Sequence, residues 1–333
     1  MLLFVVCILA LYLISFLPTD VISISKDRTA TLKAIMAVLI VVHHLSLQGI
    51  PFLHTFHSWG APIVSLFLFL SGYGLMKSLC MKGNVYLSDF FKHRIVKGIV
   101  IPFFIAWAIY RILNIVSLPN IFKELEELIY DGGTILPHSW FVFTILYFYV
   151  SFYISYKYFN NKVSFLVLIA LIILFELWCQ YWNYDRCWYI SALGFPTGIL
   201  VGKYESKIIK RLKGSIGYYC VVPISLVVIA LCVYAKMEIP YMLVYILIPI
   251  IFATLLFKVK FENLIRLKII RYLSSISFEI YLSQGISMCI LRGSFLNLKS
   301  DYLYVALTLL FTLVIATFIK LIRQSVLRYC FNS

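Results

Sequence analysis

Charge is scarce in this chain of 333 residues: only 13% are Asp, Glu, Lys or Arg, while 62% are hydrophobic. One water-soluble core cannot hide that much apolar surface, which excludes a soluble enzyme, a disordered tail and a disulfide scaffold. Acids are scarcer than bases, 14 against 29, so the formal net charge is +15. Paired cysteines are missing too. The eight Cys include no CxxC and mostly lie inside apolar runs, so they read as core thiols with no disulfide or metal framework. No internal repeat or low-complexity tract occurs, and GxxxxGK[ST], GxSxG and HExxH are all absent. Nucleotide hydrolysis, serine hydrolase and zinc protease chemistry therefore have no support.

What the sequence does have is long apolar runs. A helix crosses a hydrocarbon core of about 30 Å with about 20 residues, and eleven such runs are present. They lie near Leu2 to Leu17, Thr29 to Leu47, Ser58 to Met76, Ile95 to Leu118, Ser139 to Tyr156, Val163 to Trp182, Cys187 to Gly202, Ser215 to Ala235, Pro240 to Phe257, Leu273 to Leu291 and Tyr302 to Ile322. The fold expected is an all-α, polytopic membrane bundle. Aromatic residues at 17% suit helices that meet both lipid and headgroups.

The basic residues sort with these runs. Alternate loops hold 23 of the 29 Lys and Arg, a bias that places those loops in the cytoplasm, the N-terminus outside and the C-terminus inside. Orientation thus accounts for the positive charge, and nucleic acid is not expected as a partner. The first run has no basic residue before it and no small-x-small site before Pro18, so it reads as a retained helix rather than a cleaved signal peptide.

Ionisable side chains inside a span are costly and so mark candidate function. The second run carries Lys33, His43 and His44. Eleven residues at about 1.5 Å separate Lys33 from His44 by roughly 16 Å and close to three full turns, which puts both on one face. Lys33 can snorkel to the cytoplasmic side, whereas His44 is too deep. Two readings fit His44: a hydrogen bond between helices, or a base that takes a proton from a hydroxyl. His54 and His57 fall in the next outer loop, and His138 reads as an anchor at headgroup level. Glu176 and Glu279 are the remaining buried acids and read as groups satisfied by partners. On the cytoplasmic side, Arg94 and Lys97 stand three apart at a span entry, one helical face suited to phosphates, although the positive-inside bias also explains them.

Taken in order, these segments resemble the membrane acyltransferase-3 family from about Lys26 to Phe311. Lys33 and His44 are similar to its basic-x10-His signature. Phe67-Leu-Phe-Leu-Ser-Gly-Tyr-Gly-Leu75 resembles its FxxLSGxxL segment, Phe91 to Pro102 its basic entry to the next span, Ser139-Trp-Phe-Val142 its Trp-Phe start, and Ser277-Phe-Glu-Ile-Tyr-Leu-Ser-Gln284 its SxxIYLxH segment. The family often has Arg at Lys33, whose ammonium lacks the bidentate fork. At Gln284 it has His, so only a hydrogen-bonding role carries over.

The resemblance implies a ten-span acyltransferase domain over residues 26–333, with residues 1–25 as an extra N-terminal helix. It implies an enzyme that moves an acyl group, acetyl in the first instance, from cytosolic acyl-CoA to a hydroxyl of a cell-surface polysaccharide or its lipid-linked precursor, without a metal. In that reading His44 and Lys33 are catalytic, with His44 the base. Arg94 and Lys97 hold the CoA phosphates, and Trp140, Tyr281 and Gln284 contact substrate. The partners implied are the glycan acceptor, membrane lipid and glycan biosynthesis proteins. The rival class is a transporter or flippase for a lipid-linked saccharide, since many spans with buried charge also fit a translocation path.

Overall fold

The structure is a computed structural model that describes residues 24–113, 121–160, 162–212, 220, 223–229, 238–257, 262–293 and 295–331. The first apolar run and most of the eighth lie outside these residues. Among those described there is no strand, and the helices run in the order α1 (Lys26–Ser46), α2 (Gly60–Lys82), α3 (Asn84–Ser88), a π-helix (Phe91–Val100), α4 (Ile101–Leu113), α5 (Ile121–Tyr130), α6 (Trp140–Tyr158) and α7 (Ser164–Tyr181). They continue with α8 (Gly194–Leu212), α9 (Glu238–Leu256), α10 (Glu262–Arg266), α11 (Lys268–Ser275), α12 (Ser277–Leu291) and α13 (Asp301–Phe331). Among the described residues five stretches are long and apolar enough to cross a membrane: α1, α2, the π-helix with α4, α7 and α13.

Three departures from the apolar runs have local causes. The fourth run enters as a π-helix, in which the Ile101 N–H donates to the Val96 carbonyl five residues back. The seventh begins as tight turns, with Trp188 N bonded to the Asp185 carbonyl and Ala192 N to the Tyr189 carbonyl, so α8 starts only at Gly194. The tenth is split at Ile276, whose φ of −125° and ψ of 14° interrupt the helix between α11 and α12. One further helix, α5, has an amphipathic pattern rather than an apolar run.

The chain divides into two compact units that interleave in sequence. The first, within 24–83 and 189–274, is built on α1, α2, α8 and α9. Its α2 and α8 meet backbone to backbone through Gly194, Gly198 and Gly202. A Cβ placed at Gly198 would lie 2.0 Å from the Phe69 carbonyl oxygen, and one at Gly72 would lie 2.2 Å from that of Phe195. Small residues four apart allow this approach, which is how helices associate where lipid removes the hydrophobic drive.

The second unit, within 84–188 and 275–331, is packed by rings. Phe90 faces Phe152 at 5.9 Å and Tyr153 at 5.7 Å, and Phe175 meets Tyr147 at 4.9 Å and Phe148 at 5.4 Å. Here α12 packs on α13 and is buried along almost its whole length. With 31 residues α13 is about 46 Å long, well beyond a hydrocarbon core of about 30 Å.

Candidate functional site

In the first unit the candidate residues Lys33 and His44 ride on α1. Its start is fixed by Ser25, whose hydroxyl accepts from Arg28 N at 3.2 Å, and Asp27 in the first turn complements the helix dipole. Positions 33, 37, 40 and 44 recur at helical spacing. Ala37, Ile40 and His44 are buried along that stripe, with His44 only 5% exposed, while Lys33 is half-buried at its end. His43 turns elsewhere. Its Nδ1 lies 3.1 Å from the Phe56 carbonyl, and its ring rests on Gly60, where a Cβ would come within 2.3 Å of Nε2. His43 therefore pins the turn between α1 and α2. His54 and His57 stack at 6.1 Å and are exposed.

Two buried charged groups in this unit escape sequence reasoning. Arg28, 2% exposed, donates from Nη2 to the Leu256 carbonyl at 2.6 Å and so caps the end of α9. Glu205, 4% exposed, accepts from Ile24 N at 3.0 Å and from the Tyr73 hydroxyl at 2.7 Å, and it pairs with the Lys77 ammonium. Tyr73 also donates to the Ile24 carbonyl at 3.1 Å. This cluster holds the approach to α1 and hence the register of His44. One signal was available: Glu205 is a lone acid among Lys203, Lys207, Lys210 and Arg211.

The other candidates lie in the second unit and form two groups. Trp140 opens α6 and meets Trp188 at 6.2 Å. Tyr281 on α12 donates to the His138 carbonyl and faces Phe141 at 5.6 Å. Gln284, fully buried, follows one turn later on α12. Gly285 lets this helix close on the loop, since a Cβ there would lie 2.6 Å from Pro137 Cβ. Trp140 and Tyr281 are thus drawn together around residues 137–141, with Gln284 one turn further along α12. His138, with φ 63°, serves here through its backbone carbonyl.

Arg94 and Lys97 do not share a grip. The π-helix widens the turn, so residues three apart diverge. The Arg94 Nε donates to the Tyr86 hydroxyl at 3.0 Å, whereas the Lys97 ammonium sits over the Phe331 ring at 4.7 Å. Glu279 pairs with Arg323 at 2.5 Å. Glu176 on α7 is buried, and its Oε1 has no hydrogen-bond partner among the described residues. At the far end of α7, burial holds the Tyr184 phenol above its ordinary pKa. Among the described residues no three His, Cys, Asp or Glu side chains converge as metal ligands.

A family model described as an acyltransferase domain matches residues 30–321, most of the chain. No curated protein and no solved structure matches it.

Proposed function

The chain belongs to the acyltransferase-3 family and is a transferase of acyl groups; on that premise we propose that it moves an acetyl group from cytosolic acetyl-CoA to a hydroxyl of a cell-surface glycan or its lipid-linked precursor. The observation that carries this reading is His44, buried on the same α1 stripe as Lys33 at the family's spacing. His44 takes the acceptor proton as the hydroxyl oxygen attacks the thioester carbonyl. The tetrahedral adduct then collapses, the C–S bond breaks, and the proton passes to the leaving thiolate. Burial keeps water from competing for the thioester. Lys33 offsets negative charge as it builds on the carbonyl oxygen. Arg94 and Lys97 bind the CoA phosphates as separate cations, and Trp140, Tyr281 and Gln284 shape the acceptor pocket.

We further propose eleven spans in a cell membrane, with the N-terminus outside and the C-terminus cytoplasmic. In intact cells, a cysteine at position 123 should then be labelled from outside and one at position 82 should not.

Radiolabelled acetyl-CoA with the purified chain and candidate glycans tests the reaction. His44→Ala should abolish transfer at unchanged expression. His43→Ala should keep turnover and lose stability, because that ring holds the α1–α2 turn. Arg94→Ala with Lys97→Ala should raise the apparent KM for acetyl-CoA, more so in high salt. Label transfer that survives His44→Ala and fails with His43→Ala would reverse the active face. Translocation of an unmodified lipid-linked saccharide, the rival function, has no support in the family match.

A further inference from the structure

The second unit contains a cavity that the proposed reaction does not use. It measures about 480 Å3, within the range of about 300–1,000 Å3 typical of small-ligand pockets, and lies between α5, the first turns of α6 and the last turns of α7. Leu128, Phe143, Tyr147, Phe175, Trp178 and Tyr184 form its walls. Two of these carry hydroxyls, and both are already engaged by backbone. Tyr147 donates to the Leu171 carbonyl at 2.9 Å, and Tyr184 donates to the Leu128 carbonyl at 2.7 Å. The walls therefore present hydrocarbon and ring faces. A sugar bound there would surrender its hydration with few hydrogen bonds in return. An alkyl or isoprenoid chain would surrender nothing of the kind.

The rims indicate where such a chain comes from. Leu174 and Trp178 line the cavity and are also 57% and 45% exposed, on a helix apolar enough to cross a membrane. Across from them, α5 exposes Phe122, Leu125 and Ile129 along one stripe, with Lys123, Glu126 and Glu127 on its other faces. The polar face is acidic rather than basic, so it is the exposed apolar stripe alone that suits α5 to a membrane interface. Both rims are thus surfaces that meet lipid. The cavity also sits at the end of α6 and α7 away from Lys157 and Lys162, so it faces away from the basic side assigned to the CoA donor. Trp188 completes the link: it lines the cavity, packs on Tyr184 at 5.1 Å and reaches Trp140 at 6.2 Å.

We infer that this cavity holds the hydrocarbon chain of a lipid-linked saccharide acceptor, which enters from the outer leaflet and places its sugar at Trp140. That the bound lipid is an acceptor rests on the acyltransferase function proposed above; that the cavity selects such a chain does not. The test uses the full chain in phosphatidylcholine vesicles with a diazirine-bearing polyprenyl phosphate, and a diazirine-bearing phosphatidylcholine as control. The polyprenyl probe should label the segments containing Leu128 and Trp178. Excess unlabelled polyprenyl phosphate should reduce that labelling at least fivefold, and palmitoyl-CoA should not. Leu128→Trp, which fills the cavity from α5, should reduce labelling to a similar extent; if it fails to fold, the wild-type competition decides alone. Equal labelling by the phosphatidylcholine probe without competition would make the site ordinary annular lipid and overturn the inference. Competition by palmitoyl-CoA would assign the cavity to a donor chain and overturn it as well. In the transfer assay, Leu128→Trp should raise KM for a polyprenyl-linked glycan about tenfold relative to the same glycan without its lipid. Competed labelling with no transfer to any glycan would support the chain site and overturn only its reading as an acceptor site.

Discussion

The two units solve the same problem with opposite materials. The first closes α2 on α8 by removing side chains altogether, with Gly194, Gly198 and Gly202 set against the carbonyls of Ser65, Phe69 and Tyr73. The second fills its interior with the largest side chains available. Phe90, Phe148 and Phe152 are fully buried, and Tyr147 and Phe175 pack on Phe148. The difference teaches where each unit can yield. Backbones in contact leave no slack, so the helix pair beside α1 holds the register of His44 closely. Flat rings interlock less completely, and the cavity lies in the ring-packed unit. Close packing is thus spent on the unit that holds the proposed base, and room is left in the unit that holds the proposed acceptor residues.

The sharpest break would come from Gly198→Leu. The first added carbon meets a carbonyl oxygen that belongs to a helix backbone, and neither side can move without separating α2 from α8. The loss should exceed about 3 kcal/mol, the usual upper bound for overpacking, and should appear as absence of a monodisperse peak in detergent. Phe148→Ala comes next. It leaves a void among rings and should cost about 3–5 kcal/mol on soluble-protein scales, read as a lower unfolding temperature of a protein that still folds. If Phe148→Ala prevented folding and Gly198→Leu were tolerated, the contrast between the units would be wrong. Glu205→Gln should cost about 2 kcal/mol, because the amide keeps some hydrogen bonds of the cluster and loses the charge that Lys77 pairs with. The smallest effects sharpen the comparison within α2 and α8. Gly202→Ala, whose Cβ would stand 3.0 Å from the Tyr73 carbonyl oxygen, should cost about 1 kcal/mol. Gly74→Ala, with open space around it, should stabilise α2 by up to about 1 kcal/mol.

Much of this fold was legible in the sequence, because lipid imposes a length and a polarity that composition records directly. The runs behind α1, α2, α7 and α13 begin within three residues of the observed helices. Irregularities were not legible. Nothing in Phe91 to Val100 distinguishes a π-helix from an α-helix, and Ile276 breaks a helix without glycine or proline. The contact of Tyr281 with the His138 carbonyl joins residues 143 apart, which no local pattern encodes. Other features were available and passed over. Gly194-x3-Gly198-x3-Gly202 is a packing motif in plain view. Counting bases alone hid Glu205, whose acidity matters because its neighbours are basic.

The spans differ in length as well as in packing, and that has a consequence for the bilayer itself. At 18 residues α7 is about 27 Å long, slightly short of the hydrocarbon core, whereas α13 overshoots it. A thicker membrane slides along α13 at little cost, since apolar and polar turns are simply redistributed. At α7 it has no surplus helix to cover and must thin locally or pull on the ends. One of those ends, from Leu174 to Trp178, is a wall of the cavity. The phospholipid chain length around this protein therefore acts on the shape of that cavity through a single short helix.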